Sequence, residues 1–253
     1  MKKIAIVTGA TGGLGKEFTK LLCEENLDEI WAIARNTQKM EALKELLGEK
    51  VIPIKADVAT SEGIGLISER LLEEKPNVSY LINNAGVGKM GVYSDFTMDE
   101  VEQFVAINCR AIVMLCMCTI PYMGKGSHIL NISSQASFQP NPYLNLYSAT
   151  KAFVTSYSRS LNVELAKQGI TVTAVCPGWV DTDLLKQEWN GRKIKFPGIV
   201  KAEPVARLAM RDAHKGKDMS VYSGYVRRLQ LFSKLMPHSV VMHIWVTRIK
   251  HNF

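Results

Sequence analysis

The sequence has no long apolar run, no C-x-x-C pair and, from Tyr225 to Phe253, no acidic side chain. No uninterrupted apolar stretch approaches the roughly 18 residues of a membrane-spanning helix. The start, "MKKIAIVTGATGG", offers only a few apolar residues between its lysines and the first threonine and glycine, too few for a secretory signal. A cytoplasmic protein is expected. The five cysteines, Cys23, Cys109, Cys116, Cys118 and Cys176, are odd in number, and no histidine stands near the Cys116/Cys118 pair. Reduced core thiols are expected, not disulfides and not a metal site. The five histidines also lack ligand spacing, and His238 and His243 are expected at the surface or in packing. No nucleic-acid-binding motif accompanies the basic residues, so nucleic acid is not an expected partner. Neither a linker nor an internal repeat divides the chain, which is read as one domain over residues 1–253.

Apolar residues make up 47% of the chain and are spread along it, which requires a folded core. The formal net charge of +7 is uneven. Arg192, Lys193, Lys195 and Lys201, then Arg227, Arg228, Lys234, Arg248 and Lys250, place the basic character in the last quarter.

"KKIAIVTG" is a short apolar run ending in glycine, the pattern of a buried strand, and "GKEFTKLLCEEN" is an amphipathic helix. The alternation repeats through "EIWAIAR", "TQKMEALKELLGE", "KVIPIKADV", "EGIGLISERLLEEK" and "VSYLINNAG". A long helix over 97–120, the strand "SHILNISS", a helix over 146–168 and the strand "ITVTAVCPG" follow. Apolar strands separated by helices predict an α/β fold: a doubly wound parallel sheet of Rossmann type with helices on both faces. After Gly178 the rhythm breaks. Residues 181–200 are expected to form a lid over the sheet. A helix, "AEPVARLAMRDAHKGK", and a short strand, "MSVYSG", precede a C-terminal extension over 225–253 that reads as two helices broken at Pro237.

Four patterns carry chemistry. The first strand runs into "TGATGGLG", where Gly9, Gly13 and Gly15 bring bare backbone to a helix N-terminus, the arrangement a pyrophosphate needs. At the end of the second strand, where an NAD site places a carboxylate for the ribose hydroxyl, stand Ala34, Arg35 and Asn36. A guanidinium there suits a 2′-phosphate, so NADP(H) is expected over NAD(H). "LYSATKAF" spaces Tyr147 and Lys151 one helical turn apart, either as a solvated pair or as an acid–base couple. In the second case the cation lowers the phenol pKa. "PGWVDT" at 177–182 follows the sixth strand.

Taken together, Thr8–Gly15 (T-G-x-x-x-G-x-G), "NNAG" at 83–86, "ISS" at 132–134, Tyr147-x-x-x-Lys151 and "PGWVDT" resemble the classical short-chain dehydrogenases/reductases, in order and spacing, from Lys3 to about Thr182. The resemblance implies that Tyr147 is the general acid/base, that Lys151 lowers its pKa and holds the nicotinamide ribose, and that Ser134, in preference to Ser133, polarises the substrate oxygen. Asn108 matches the asparagine whose carbonyl holds a water in a proton relay. By the same resemblance Gly9, Thr11, Gly12, Gly13, Leu14 and Gly15 cradle the cofactor. Asp57, with the Val58 backbone, lies at its adenine edge, and Asn84, Ala85 and Gly86 pass its adenosine ribose; Arg35 and Asn36 are cofactor-binding candidates from the strand-end pattern above. Pro177, Gly178, Val180 and Thr182 hold the nicotinamide.

Substrate residues are less determined. Trp179, Leu184, Leu185, Trp189 and Phe196 are candidates for an apolar pocket, and Arg192, Lys193 and Lys195 for an acidic substrate group. Met236, Val240, Val241, Ile244, Trp245 and Ile249 are candidates for an apolar face that meets the lid, a partner subunit, a membrane surface or its own domain. The extension looks like the subgroup of hydroxysteroid dehydrogenases and 3-oxoacyl reductases. The expected function is interconversion of a ketone and an alcohol on a bulky apolar small molecule such as a steroid or bile acid. The alternatives are a 3-oxoacyl-thioester reductase and a non-catalytic cofactor sensor. The resemblance also implies a homodimer or homotetramer packed through helices 97–120 and 146–168.

Overall fold

The computed structural model describes residues 1–185 and 196–249, with the backbone of 188–189 and 192–193 between them. Strands β1 (Lys3–Thr8), β2 (Glu29–Ala34), β3 (Val51–Lys55), β4 (Asn77–Asn83), β5 (His128–Ile132), β6 (Thr171–Val175) and a two-residue last strand, Met219–Ser220, form one sheet. The order is β3-β2-β1-β4-β5-β6 with the last strand beside β6, and every pairing is parallel. Between β6 and the last strand, Glu188–Trp189 (β7) and Arg192–Lys193 (β8) pair as an antiparallel hairpin, which makes Met219–Ser220 β9.

Alternate residues of each strand feed opposite layers, as the two-residue period requires. Ile4 and Ile6 of β1 join a core with helices α3 (Ser61–Glu74), α5 (Ala111–Thr119) and α6 (Asn145–Leu165). Ala5 and Val7 face the other way, onto α1 (Gly13–Cys23), α2 (Thr37–Leu47) and α7 (Ala202–His214). With both sheet faces covered, β1 and β2 are apolar on both sides, which is why they read as continuous apolar runs.

The run Met98–Tyr122 is 25 residues long and apolar enough, by length and composition, to cross a membrane. Half of its most apolar window is buried inside the protein, and Ile112, Leu115 and Cys116 pack in the sheet core. It is not one regular helix. Helix α4 (Met98–Val105) passes through a π-turn over Ala106–Arg110 before α5 resumes.

The extension is α8 (Gly224–Leu235) and α9 (His238–Ile249), split at Pro237 as its missing N–H and fixed φ dictate. It folds back on its own domain. Ser233 Oγ donates to Gln139 Oε1 at 2.7 Å, and Trp245 Nε1 donates to the Pro142 carbonyl at 2.8 Å. The expected apolar face divides: Val241 and Ile249 are buried, whereas Met236 and Val240 remain exposed. The last strand is also shorter than expected, two residues against the six of "MSVYSG".

Candidate active site

The sheet order reverses between β1 and β4, and the crevice beyond their carboxyl ends is where such a fold binds ligands. A cavity of about 1250 Å³ opens there and runs on to α8 and α9.

At one end lies the glycine turn. Gly9 has φ +61°, which an L side chain rarely adopts. A Cβ at Gly15 would sit 2.1 Å from the Gly9 carbonyl oxygen, so the turn and α1 close only over a bare backbone. The "NNAG" segment locks it from below. Thr8 Oγ1 accepts from the N–H groups of Asn84 and Ala85, both at 3.0 Å, and Asn84 Nδ2 donates to the carbonyls of Thr8 and Gly9. Two motifs 75 residues apart in sequence are therefore one structural unit. Helix α1 starts at Gly12 with no side-chain cap and no acidic residue in its first turn. Its free N–H groups and positive dipole end face the cavity, and Gly12, Thr11, Gly13 and Leu14 line it. This cradle fits a pyrophosphate.

Beyond β2, Arg35, Asn36 and Lys39 line the cavity, with Asp57 and Val58 opposite. Arg35 Nη1 is 4.0 Å from Asp57 Oδ2, and Arg35 is largely exposed, so that pair holds it weakly. Asn36 Oδ1 caps α2 by accepting from Lys39 N at 2.9 Å, and Asp57 Oδ1 accepts from Ala59 N. Both line the cavity, and both carry local structural roles. Lys39 is a second cation at this end that the sequence reading passed over; it stands three residues past the cap, on the exposed side of α2.

At the centre, Ser134, Tyr147 and Lys151 converge. Lys151 is buried, and its Nζ donates to the Ile132 carbonyl at 2.8 Å and lies 5.6 Å from the Tyr147 ring centre. Burial pushes its pKa down to about 8. The expectation that Lys151 lowers the Tyr147 pKa is not met. Burial raises the phenol pKa, the Ser134 hydroxyl works against that rise, and the lysine is engaged with the β5 backbone instead. Ser134 Oγ accepts from Ala136 N at 3.1 Å, and its hydroxyl proton faces the Tyr147 phenol. Ser133 is spent on structure: its hydroxyl donates to the Lys151 carbonyl at 2.8 Å and contacts Thr155 Oγ1 at 2.7 Å.

Asn108 sits inside the π-turn. Its side chain accepts from Val87 N at 3.0 Å and donates to Val87 O and to Thr150 Oγ1. The asparagine thus fixes the segment after Gly86 against α6. Past β6, Pro177, Gly178, Val180 and Thr182 line the cavity, and a Cβ at Gly13 would meet Thr182 Cγ2 at 2.3 Å. The two ends of the segment 181–200 are tied by a bridge between Val180 and Val200 and by Trp179 against Phe196, ring centres 4.8 Å apart.

Much of the remaining wall is apolar. Trp179, Leu184, Leu185 and Phe196 line it as expected, joined by Leu229, Phe232, Val241, Ile244, Trp245 and Ile249 from the extension. The side chains of Trp189, Arg192, Lys193 and Lys195 lie outside the described residues. Gln135 was not foreseen: it lines the cavity with a buried Oε1 that has no partner among the described residues.

Comparison with known proteins agrees with this geometry. A family model described as short chain dehydrogenase matches residues 3–193. An uncharacterized oxidoreductase of Staphylococcus epidermidis is 27% identical over 215 residues, 84% of this chain and 93% of its own. A short chain dehydrogenase from Burkholderia cenocepacia, solved in complex with NADP, is 26% identical with a TM-score of 0.76, over 89% of this chain and 98% of that one. The bulky-bulky ketone specific alcohol dehydrogenase from Comamonas testosteroni is 25% identical with a TM-score of 0.74, over 93% of this chain and 95% of that one. With most of the chain matched, and its glycine turn and polar cluster seated at the switch point of a parallel sheet, this protein belongs to the short chain dehydrogenase family.

Proposed function

We propose that the protein is an NADP(H)-dependent oxidoreductase that interconverts a ketone and a secondary alcohol on a bulky, largely apolar small molecule. The observation that carries this reading is the single cavity in which a dinucleotide cradle, a Ser134–Tyr147–Lys151 centre and an apolar chamber are continuous. The ketone-specific relative from Comamonas testosteroni supports the substrate type, and the NADP-bound relative supports the cofactor.

Bound nicotinamide supplies the hydride, and the chain supplies position and protons. Tyr147, kept protonated by its raised pKa, donates a proton to the carbonyl oxygen during reduction. The Ser134 hydroxyl, next to Tyr147, donates a hydrogen bond to the same oxygen, where negative charge develops. Lys151 holds a charge below about pH 8 and is fixed by the Ile132 carbonyl, with further N–H donors left for the ribose and for a relay. With the Asn108 side chain bonded to Val87 and Thr150, its main-chain carbonyl, in the distorted π-turn, holds a relay water. Arg35, with Lys39 beside it, binds the 2′-phosphate.

A cytoplasmic setting accords with five free thiols. Pairing into dimers or tetramers through α4–α5 and α6 accords with the exposed Val105, Met117, Phe153 and Val163 on those helices. Gel filtration with light scattering checks it; a monomer at micromolar concentration contradicts it. The extension's contact with Gln139 and Pro142 favours a wall of the substrate chamber over a membrane anchor.

The test is oxidation of NADPH and NADH with a panel of 3-, 7- and 17-ketosteroids, oxo bile acids and 3-oxoacyl thioesters, on wild type and on Arg35→Ala/Lys39→Ala. Turnover of free bulky ketones with NADPH is expected, and the double variant should lose NADPH affinity by far more than NADH affinity. Turnover of thioesters alone, or unchanged cofactor preference in the variant, contradicts the reading.

A further inference from the structure

Two arginines from the extension line the cavity, and neither has a function in the chemistry above. On α8 the residues that line the cavity are Tyr225, Arg228, Leu229 and Phe232, spaced three and four apart on one face. On α9 they are Val241, Ile244, Trp245, Arg248 and Ile249, again one face. Each face is apolar apart from its arginine. Both arginines line the cavity and are also exposed, which places them at its rim. Among the described residues neither lies within 4.0 Å of a carboxylate, and no acidic residue occurs from Tyr225 onward.

The other charged groups that line the cavity are accounted for. Arg35, Lys39 and Asp57 stand at the cofactor end. Lys89 is paired with Glu100 at 2.7 Å, and Lys151 is bonded to Ile132. Asp183, on the segment after β6, is the one carboxylate lining the cavity that is left near the substrate side, against two guanidinium groups.

We propose that Arg228 and Arg248 form an anion subsite at the rim of the substrate chamber, and that the substrate carries a carboxylate or phosphate remote from its reacting carbon. This rests on the proposed ketone/alcohol reading and deepens it. The apolar wall takes the body of the molecule, and the rim takes its charged end. A guanidinium is suited to either anion, since its planar fork matches both geometries. At a half-exposed rim, two such contacts amount to about a tenfold gain in affinity.

The test is calorimetric titration of the NADPH-loaded full-length protein with dodecanoate, dodecyl phosphate and dodecanol. The same titrations on Arg228→Gln/Arg248→Gln remove the subsite, and Lys234→Gln, outside the cavity, serves as the charge control. Both arginines are exposed, so the double variant should melt as wild type does. The expected result is at least tenfold tighter binding of one or both anions than of dodecanol, reduced to within about twofold in the double variant and retained in the control. Preference for dodecanoate alone assigns a carboxylate, and preference for dodecyl phosphate alone a phosphate. Equal binding of all three, no binding of either anion at millimolar concentration, or a preference that survives the double variant overturns the proposal. An oxo bile acid and its methyl ester, assayed in parallel, separate the two readings. Anion preference without ketone turnover removes the oxidoreductase reading and keeps the subsite. Turnover of acid and ester with equal kcat/KM removes the subsite and keeps the reaction.

Discussion

Replacing Gly15 by alanine isolates the steric claim about the glycine turn. In an ordinary helix interior this change stabilises by about 1 kcal/mol, because alanine loses less entropy on folding. Here the new Cβ would stand 2.1 Å from the Gly9 carbonyl oxygen and 2.6 Å from Asn84 Nδ2, far inside van der Waals contact. The nearest atom is backbone, so the turn must move, and overpacking at a contact this short falls in the upper part of the usual cost, about 2–3 kcal/mol. Asn84 cannot yield freely, since its amide is bonded to the carbonyls of Thr8 and Gly9. Gly15→Ala should therefore be destabilised by about 1–2 kcal/mol net, a fall in Tm of roughly 2–8 °C for a chain of this size. Gly12→Ala is the matched control. Its φ of −82° suits alanine, and its Cβ would meet only the Gly9 oxygen at 3.5 Å. That methyl points into the cradle, so Tm should hold while NADPH affinity falls at least tenfold. Differential scanning fluorimetry and NADPH titration on the two variants read both effects. A Gly15→Ala protein as stable as wild type, or a Gly12→Ala protein that binds NADPH as wild type does, would refute the reasoning.

Two further predictions concern protonation. With the Tyr147 pKa raised by burial, reduction, which needs the acid form, should persist through neutral pH, and alcohol oxidation should climb only on the alkaline side. Ser134→Ala removes the group that opposes the rise, so in addition to lowering kcat it should move the alkaline limb of the oxidation profile to higher pH; a limb moved to lower pH contradicts the account. Far from the cavity, at the start of β5, burial and the nearby His214 push the His128 pKa down to about 4 from its ordinary 6.5. Above pH 6.5 the group contributes no pH dependence. As pH falls toward 4 the unfolded chain takes up a proton that the fold refuses, so roughly 2–3 kcal/mol of stability is lost across that window. Urea denaturation at pH 7 and pH 4.5 should show His128→Phe losing less stability than wild type; an identical loss would contradict the assignment.

The alternation of apolar strands and amphipathic helices was legible because both faces of the sheet are covered, and the five motifs were legible because each is local and their order is preserved. Their mutual bonding was not. Asn84 holding the Thr8–Gly9 backbone, and Asn108 holding Val87 to Thr150, are contacts between distant segments that no local pattern announces. The direction of the Tyr147 pKa is a property of burial, and spacing from Lys151 carried no information on it. The extension showed two helices broken at Pro237, but the bonds to Gln139 and Pro142 that fold it onto the chamber depend on a loop about a hundred residues earlier. Arg228 and Arg248 read as two members of a basic tail until the fold placed both in the lining of one cavity.

The central claim is that Tyr147 donates the proton in an NADPH-dependent ketone reduction. It is tested most directly by comparing wild type and Tyr147→Phe in two assays, reduction of a bulky ketone that the wild type turns over and equilibrium binding of NADPH. The account predicts a loss of at least about 10³-fold in kcat with the NADPH Kd unchanged within about twofold. A variant that keeps wild-type turnover contradicts it.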